Sequence, residues 1–450
     1  MIDISDLYSW WDEHFTEYVD DLKQYVAIPS VAVKQDGEYP FGRSCYDMLV
    51  YISTLMRRYG LTSRLINNVF AEGCLRSSSE KTIAVACHGD VVPVSGEWEG
   101  DPFTLYQKED HLVGRGTTDN KGAGMAVLYA LRYLISKGWQ PKVNIRLLFG
   151  SAEEIGMHDF PLAFDKNEKI ADITLVPDSG FPVAYGEKAG FRALFKLPFS
   201  SMIRNISGGS GVGVVEYASA EIKYEGQFEC RENIMVENLP DGWIKVEAKG
   251  KGRHSATPEG GVDAFCLLFD FIDSIIEDEG VKGYLSCFRD FYGKGLGIDY
   301  VDSDSNVLTA VVSKAIDGTF SLGVRFPVSA DSDSIKKAIQ EKLLDVSIES
   351  ESFGYLYKPD TVVSSLNAIA NSEYGTHRAP YVMAGGTYAR VMQPAIAFGM
   401  GSPSGNVMPP FPQGEGRAHQ RNESVHIERM KKGFAIYVKA LLLLEEYYAK

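Results

Sequence analysis

The sequence predicts an α/β protein in which one domain, with a mixed and largely parallel sheet and helices on both faces, is interrupted by an inserted two-part α+β domain. Three observations predict it. The 450 residues exceed the roughly 100–200 residues of one ordinary domain. Strand-like runs alternate with a helical pattern early in the chain. This pattern changes near residue 187 and returns near residue 358. We therefore expect a discontinuous domain, 1–186 and 358–450, around an insertion at 187–357.

The first part of the chain begins with helical spacing of apolar residues over about 30 residues. Four strand-like runs follow: TIAVAC (82–87), HLVGRG (111–116), VNIRLLFG (143–150) and DITLVPD (172–178). Between the second and third, NKGAGMAVLYALRYLISKGW carries an apolar stripe, and Gly138 lies where a C-terminal cap belongs. We expect parallel strands whose carboxyl ends form a ligand crevice.

The sequence pattern of the insertion predicts two units, in each of which strands precede a helix. The strand-like runs FRALFKLPF, ASAEIKYEGQFE and DGWIKVEAKGKG come before the helical VDAFCLLFDFIDSIIE. Two further strand-like runs in VLTAVVSKAIDGTFSLGVRFPV come before the helical SDSIKKAIQEKLLD. From Pro359 we expect a helix, the glycine-rich turn AGGTYAR, the strand AIAFGM, a loop at 401–417 and a last helix from Ser424.

Charge and composition exclude several classes of partner. The formal charge of −15 argues against nucleic acid and anionic membranes, which need clustered Lys and Arg. A small substrate or a cation fits better. The six cysteines are scattered, as is typical of a reducing cytosol, and we find neither a signal peptide nor a run of transmembrane length. We expect a soluble, cytoplasmic protein.

His88 and Asp119 are the first candidate functional residues. His88 directly follows the strand TIAVAC and could bind a metal, oriented by Asp90, whose carboxylate would accept the other ring N–H. A structural histidine is the alternative. Asp119 in GRGTTDNKGAG precedes the predicted helix and could simply cap it. The glycines of this segment lack the spacing of a phosphate loop, so we exclude nucleotide binding.

Two adjacent carboxylates, Glu153 and Glu154, follow an apolar run in VNIRLLFGSAEEI. Ionised neighbours repel each other, and burying a carboxylate is costly without a partner. A solvated loop or a helix start would explain the pair without any function. Asp178 at the end of another strand and His419 near the C-terminus are further side chains that can bind metal.

Seven motifs resemble those of the dizinc exopeptidase family, which includes PepV-type dipeptidases, carnosinases, aminoacylases and carboxypeptidase G-type enzymes. In order they are HGDVVP, GRGTTDNKG, SAEEIG, PDSG, GRHSATPEGGVDA, AGGTYAR and HQRNE. The resemblance spans nearly the whole chain and is closest to PepV-like dipeptidases. It implies that the discontinuous domain is catalytic and that the insertion is a lid.

The resemblance implies two zinc ions, which Co²⁺ or Mn²⁺ can replace. His88, Asp119 and Asp178 would hold one ion, while Asp119, Glu154 and His419 would hold the other, so that Asp119 bridges them. Such ligands leave each ion an open position for water, as catalytic zinc requires. In this family a cis peptide commonly follows the residue that corresponds to Asp119.

Further roles also come from the resemblance. Glu153 would be the general base that passes the water's proton to the leaving amine, with Asp90 supporting His88. His254 would stabilise the oxyanion, and Arg325 would bind the substrate's terminal carboxylate; a surface histidine and a surface ion pair are the alternatives. The backbone donors to an anion would be Gly385, Gly386 and Thr387.

One position departs from the family pattern. In ISGGSGVGVVEYA, Gly213 stands where relatives have asparagine, which puts one polar contact to the substrate in question. The predicted function is a zinc dipeptidase acting on short peptides with a free amino terminus, since Asp178 is the variant associated with peptides. Alternatives are an N-acyl-amino-acid or N-succinyl amidohydrolase and a non-catalytic two-lobed peptide-binding protein. The insertion is longer than the lid of dimeric relatives, which predicts a monomer.

Overall fold

The computed structural model describes residues 3–165, 168–403 and 407–450. The chain divides into two compact units. The first comprises Met1–Gly186, Tyr357–Tyr381 and Thr387–Lys450, and the second comprises Glu187–Leu356 and Val382–Gly386.

The described residues form nine α-helices and two short 3₁₀ helices. The α-helices are α1 (Leu7–Val26), α2 (Arg43–Arg58), α3 (Lys121–Ser136), α4 (Phe160–Ala163), α5 (Ala264–Asp273), α6 (Glu279–Phe288), α7 (Ser332–Lys342), α8 (Thr361–Tyr374) and α9 (Ile427–Tyr448). The 3₁₀ helices are Pro240–Gly242 and Tyr388–Arg390. None of the helices in the described part of the chain has the length and apolar character needed to span a membrane.

The strands of the described residues fall into five sheets. Those up to residue 187 are β1 (Thr62–Ile66), β2 (Phe70–Leu75), β3 (Thr82–His88), β4 (Tyr106–Lys108), β5 (His111–Val113), β6 (Asn144–Gly150), β7 (Ile173–Val176), β8 (Ser179–Gly180) and β9 (Ala184–Glu187). The next are β10 (Ala189–Lys196), β11 (Ile203–Gly208), β12 (Tyr217–Lys223), β13 (Ile234–Asn238), β14 (Trp243–Lys249), β15 (Val301–Asp302), β16 (Asn306–Val307), β17 (Thr309–Ile316), β18 (Thr319–Phe326), β19 (Leu344–Ser352) and β20 (Tyr355–Leu356). The last are β21 (Tyr381–Met383), β22 (Ala395–Ala397), β23 (Met400–Gly401) and β24 (Ser424–His426).

The first unit is built on a mixed sheet whose strands run in the order β1-β2-β6-β3-β7-β22-β9. The four central strands, β6, β3, β7 and β22, are parallel, and their outer neighbours are antiparallel. Strands buried on both faces should be largely apolar, and β3 is apolar from Ile83 to Cys87. The predicted α/β class is therefore confirmed, with its parallel part confined to the centre of the sheet.

Helix α3 lies between β5 and β6 in the chain, where the helical pattern between HLVGRG and VNIRLLFG predicts it. It contacts α1, α9 and β3. Gly138 follows it with a φ of 72°, the left-handed conformation of a C-terminal cap. Because β3, β6 and β7 are parallel, the residues that follow them lie at one edge of the sheet.

Two predicted elements differ from the structure. The run HLVGRG is not a strand of the central sheet, because only His111–Val113 is extended and it pairs with β4 and β24. Its register is set by a tight turn, in which Glu109 has a φ of 51°. The last helix begins at Ile427 rather than Ser424, since Ser424–His426 is taken up by pairing with β5.

The second unit contains one antiparallel sheet with the order β13-β14-β12-β11-β17-β18-β10-β19. Its two four-stranded halves are joined by the pair β11 and β17. Helix α5 packs against β12 and β14 and contacts α6. Rings from α5, α6 and β18 pack together in the core, including Phe265, Phe269, Tyr284 and Phe320. The α+β character of the insertion is confirmed.

Candidate metal centre

His88 is the last residue of β3 and is buried. Its Nε2 lies 3.0 Å from Oδ1 of Asp119 and 3.7 Å from Oδ2 of Asp178. Its Nδ1 lies 3.0 Å from the backbone oxygen of Asp90 and 3.4 Å from the Asp90 carboxylate. A carbonyl oxygen only accepts, so Nδ1 carries a proton, and Nε2 is the ring nitrogen that faces the carboxylates of Asp119 and Asp178. The Asp90 carboxylate, predicted to accept this proton, is the more distant of the two.

Asp119 places one carboxylate oxygen toward each of two histidines. Oδ1 faces His88, while Oδ2 lies 3.1 Å from Nε2 of His419. The same His419 nitrogen lies 3.1 Å from Oε2 of Glu154. Asp119 does not cap α3, whose N-cap is Asn120 without a side-chain capping bond. The peptide bond between Asp119 and Asn120 is cis.

Two groups of potential metal ligands share His88. One contains Glu153 and Asp178, and the other contains Asp119 and Glu154; in each, the donor atoms lie within 4.8 Å of one another. The geometry thus allows Glu153, for which we expected a role as base, to be a ligand as well.

Charge is concentrated in this cluster. Burial alone would lower the pKa of His88, but hydrogen bonds to Asp119 and Asp90 raise it well above its usual range. Hydrogen bonds to Asp119 and Glu154 raise the pKa of His419 to about 11. Burial raises the pKa of Glu153 far above its usual value. Carboxylates outnumber imidazoles here, so a divalent cation would relieve their mutual repulsion.

The donor set fits metal ions. Imidazole nitrogens and carboxylate oxygens are ligands that zinc takes in catalytic sites. Glu154 contributes a further sign, because its Oε1 is buried without a hydrogen-bond partner, and such an atom is costly unless something satisfies it. An ion that binds Glu154 through both carboxylate oxygens would do so.

The remaining predicted site residues are not members of the two groups of potential ligands. In the second unit, Nδ1 of His254 accepts a hydrogen bond from the Ala256 N–H at 3.2 Å. Arg325 donates to the Ala384 carbonyl at 2.6 Å and to the Ser255 hydroxyl at 3.5 Å. Gly385 and Gly386 belong to this unit. Thr387 belongs to the first unit and caps the 3₁₀ helix, accepting from the Ala389 N–H.

Comparison with known proteins identifies the family. The family described as "Peptidase family M20/M25/M40" matches residues 84–443 of this chain. The chain belongs to this family. A protein of Staphylococcus epidermidis, provisionally named a dipeptidase, is 24% identical over 478 residues, which cover 96% of this chain and 99% of that protein.

Two solved structures share the fold. Human carnosine dipeptidase 1 matches with a TM-score of 0.61 and 15% identity, over 98% of this chain and 99% of that one. The dipeptidase Dug1p from Saccharomyces cerevisiae matches with a TM-score of 0.61 and 14% identity, over 99% of both chains. The resemblance drawn from the seven motifs is confirmed, and the chain is a metallopeptidase of the M20 type.

Three buried carboxylates hold the loops that carry the candidate ligands of this M20 peptidase, each by accepting two consecutive backbone N–H groups. The first is Asp90. Its Oδ1 lies 3.2 Å from the N–H of Glu153, and its Oδ2 lies 3.0 Å from the N–H of Glu154. Its carboxylate therefore fixes the paired glutamates, in addition to its contact with His88.

Asp159 holds the start of the same loop, and sequence reasoning missed it. Its Oδ2 accepts from the N–H groups of Ser151 and Ala152 at 2.7 and 2.9 Å and from the Tyr388 hydroxyl at 2.5 Å. A Cβ at Gly150 would lie 1.7 Å from that hydroxyl oxygen, so only glycine fits. The available signals were an acidic residue soon after Glu154 and the tyrosine of AGGTYAR.

Glu423 holds the loop of Asp119. Its Oε1 accepts from the N–H groups of Thr118 and Asp119, both at 3.0 Å, and its Oε2 lies 2.7 Å from Nη1 of Arg115. Arg115 and Glu423 are both fully buried. Arg115 also donates to the Gln420 carbonyl, so the pair joins the segments that carry Asp119 and His419. Glu423 is part of the motif HQRNE, to which we had assigned only the histidine.

Asp159 should make the free energy of unfolding depend on pH. Burial, followed by repulsion from Asp90, raises the pKa of Asp159 from 3.8 to about 7. Between these values the folded chain binds more protons than the unfolded chain, so its unfolding free energy falls as pH rises through this window. Asp159→Asn keeps an acceptor and abolishes the titration. In urea denaturation from pH 4 to 8, the free energy of unfolding of the wild type should fall by up to about 4 kcal/mol as a result, and that of the variant should not show this fall.

The comparison uses the difference between the two curves, because other groups titrate equally in both proteins. Parallel curves for wild type and Asp159→Asn would contradict the assignment of a buried, shifted carboxyl at this position.

Proposed function

We propose that this chain is a zinc-dependent dipeptidase that hydrolyses short peptides with a free amino terminus. The observation that carries the proposal is the position of Asp119, whose two oxygens face the imidazoles of His88 and His419. A carboxylate shared in this way is what a bridging ligand of two ions requires. The names of the S. epidermidis relative and of the two structural neighbours support the choice of peptide substrates.

The proposed ligands divide into two sets. His88, Asp119 and Asp178 would hold one ion, and Asp119, Glu154 and His419 the other. Donor atoms separated by 3.0 to 3.7 Å suit ligands placed about 2.0–2.2 Å from a shared ion. When bound, the ions supply Lewis acidity toward the peptide carbonyl and lower the pKa of water.

Glu153 is assigned the proton transfer. The residue is only 9% exposed, and its burial raises the pKa of its carboxyl group, which favours uptake of a proton by this carboxylate. The Asp90 carboxylate holds the Glu153 backbone and so limits the positions from which the side chain acts. Glu153 would accept the proton of the attacking water at its carboxylate and deliver it to the leaving amine.

Substrate recognition is assigned to residues of the resemblance. His254 would donate a hydrogen bond to the oxygen that gains charge in the transition state. Arg325 would bind the carboxylate of the substrate through its planar guanidinium, and Gly385, Gly386 and Thr387 would supply backbone donors. The expected monomeric state and cytoplasmic location stay predictions.

The metal ions can be counted directly. We expect two divalent ions per wild-type chain by elemental analysis and loss of peptidase activity with a chelator. His88→Ala and His419→Ala remove donors from different proposed ions, so calorimetric titration should show each variant losing a different class of site. His377→Ala, at an exposed histidine outside the cluster, is the control and should bind two ions. Active protein without metal would end the proposal.

The paired glutamates should give opposite phenotypes. Glu153→Gln removes the proposed base and should lower kcat by about a hundredfold or more, with metal content unchanged. Glu154→Gln removes a proposed ligand and should weaken metal binding first. Each variant is the control for the other, because both make the same change one residue apart. Loss of metal in Glu153→Gln with retention in Glu154→Gln would reverse the assignment.

The amino group of the substrate should matter. The carboxylate-rich site favours an ammonium group, so an N-acetyl cap on a dipeptide should reduce kcat/KM by about tenfold or more, consistent with the loss of a charged hydrogen bond. Release of free amino acid from capped and uncapped dipeptides measures this. Faster hydrolysis of N-acyl or N-succinyl amino acids would favour the amidohydrolase alternative.

A further inference from the structure

Gly213 lies where the backbone passes closest to the segment that carries His254. The two residues form an isolated antiparallel bridge, and the Val214 N–H donates to the Arg253 carbonyl at 2.9 Å. A Cβ at Gly213 would lie 2.1 Å from that carbonyl oxygen and 3.4 Å from the Cα of His254. The first distance is far shorter than any van der Waals contact. A side chain at Gly213 would therefore displace the backbone at 253–254.

The conflict is steric rather than conformational. Gly213 is absent from the residues with a positive φ, so its backbone conformation does not by itself require glycine. Gly252, in the same segment, is different, because a Cβ there would meet no atom closer than 3.6 Å. The two glycines thus provide a matched pair for substitution.

The same segment fixes the imidazole of His254. The ring Nδ1 of His254 accepts a hydrogen bond from the Ala256 N–H at 3.2 Å. The backbone carbonyl of His254 accepts one from the Thr257 N–H at 3.0 Å. Because Nδ1 is an acceptor, the neutral ring carries its hydrogen on Nε2. His254 is therefore held as a hydrogen-bond donor through Nε2.

The base of the segment is held by a second bridge. Lys251 and Val262 exchange two backbone hydrogen bonds, of 2.8 and 3.0 Å. Between this closure and His254, the Val214 N–H binds the carbonyl of Arg253, the residue directly before His254. A displacement at Arg253 would pass directly to His254.

We propose that Gly213 is a positioning residue for His254, and that a side chain is excluded there so that the imidazole keeps its place and its Nε2–H tautomer. This inference rests on the proposed function, in which His254 donates to the oxygen of the transition state. In this chain, the close backbone contact at position 213 leaves no room for the asparagine that the family pattern led us to expect there.

The kinetic test compares Gly213→Ala with Gly252→Ala. Gly213→Ala should lower kcat on a dipeptide about tenfold or more, approaching the effect of losing an oxyanion donor, while KM changes by less than about twofold. Gly252→Ala should behave as the wild type, and all proteins should bind the same amount of metal. An unchanged kcat in Gly213→Ala would overturn the proposal.

A double-mutant cycle shows whether Gly213 acts through His254. In a His254→Ala background, Gly213→Ala should cause no further loss, because the group that it positions is already gone. An equal further loss in both backgrounds would mean that Gly213 acts through another part of the unit, and the proposal would be wrong.

A spectroscopic test does not depend on activity. Long-range ¹H–¹⁵N spectra of histidine-labelled wild type, with the His254 signals identified by their absence in His254→Ala, should show Nδ1 unprotonated and Nε2 protonated. Gly213→Ala should shift these signals, and Gly252→Ala should not. The opposite tautomer in the wild type would overturn the proposal even if Gly213→Ala does not fold. If His254→Ala leaves kcat unchanged, the oxyanion role fails, while these spectra still decide whether Gly213 positions the ring.

Discussion

The structure of the first unit depends on one carboxylate that is shared by two histidines. Asp119 can face both His88 and His419 only if three distant segments meet: the end of β3, the loop before α3 and the loop before β24. Each segment brings backbone N–H and C=O groups into a region without water, where these groups need hydrogen-bond partners from the protein. The supporting carboxylates Asp90, Asp159 and Glu423 meet that requirement by accepting pairs of N–H groups.

This solution has an electrostatic consequence. An ionised carboxylate accepts two backbone N–H groups more strongly than a neutral side chain does, so the loops are held firmly, but each supporting residue that is ionised adds negative charge next to carboxylates that are already close together. The buried Arg115 offsets one of them, Glu423. The cations proposed to bind here would offset the remaining excess. In that case the same carboxylates would both support the backbone and attract metal.

The sequence predicted what depends on local pattern. His88 and Asp178 follow apolar strands, so parallel pairing brings them to one edge, and the motifs supplied Asp119, Glu154 and His419. The supporting contacts were not predictable, because Asp159 bonds to a tyrosine 229 residues away and Arg115 to a glutamate 308 residues away, and no periodicity encodes such pairs. The prediction that HLVGRG is a strand of the central sheet was wrong for the same reason, because the partner of β5 is β24, which lies near the C-terminus.

The inserted unit begins and ends on neighbouring strands. β10, its first strand, pairs with β19, and Gly190 lies opposite Ser352. The two points where the chain enters and leaves this sheet are therefore separated by a single strand spacing of about 5 Å. Because its two ends are adjacent, an inserted unit of any length can take the place of a loop in the domain that it interrupts. Evolution could thus lengthen, shorten or exchange the whole unit without altering the sheet that it interrupts.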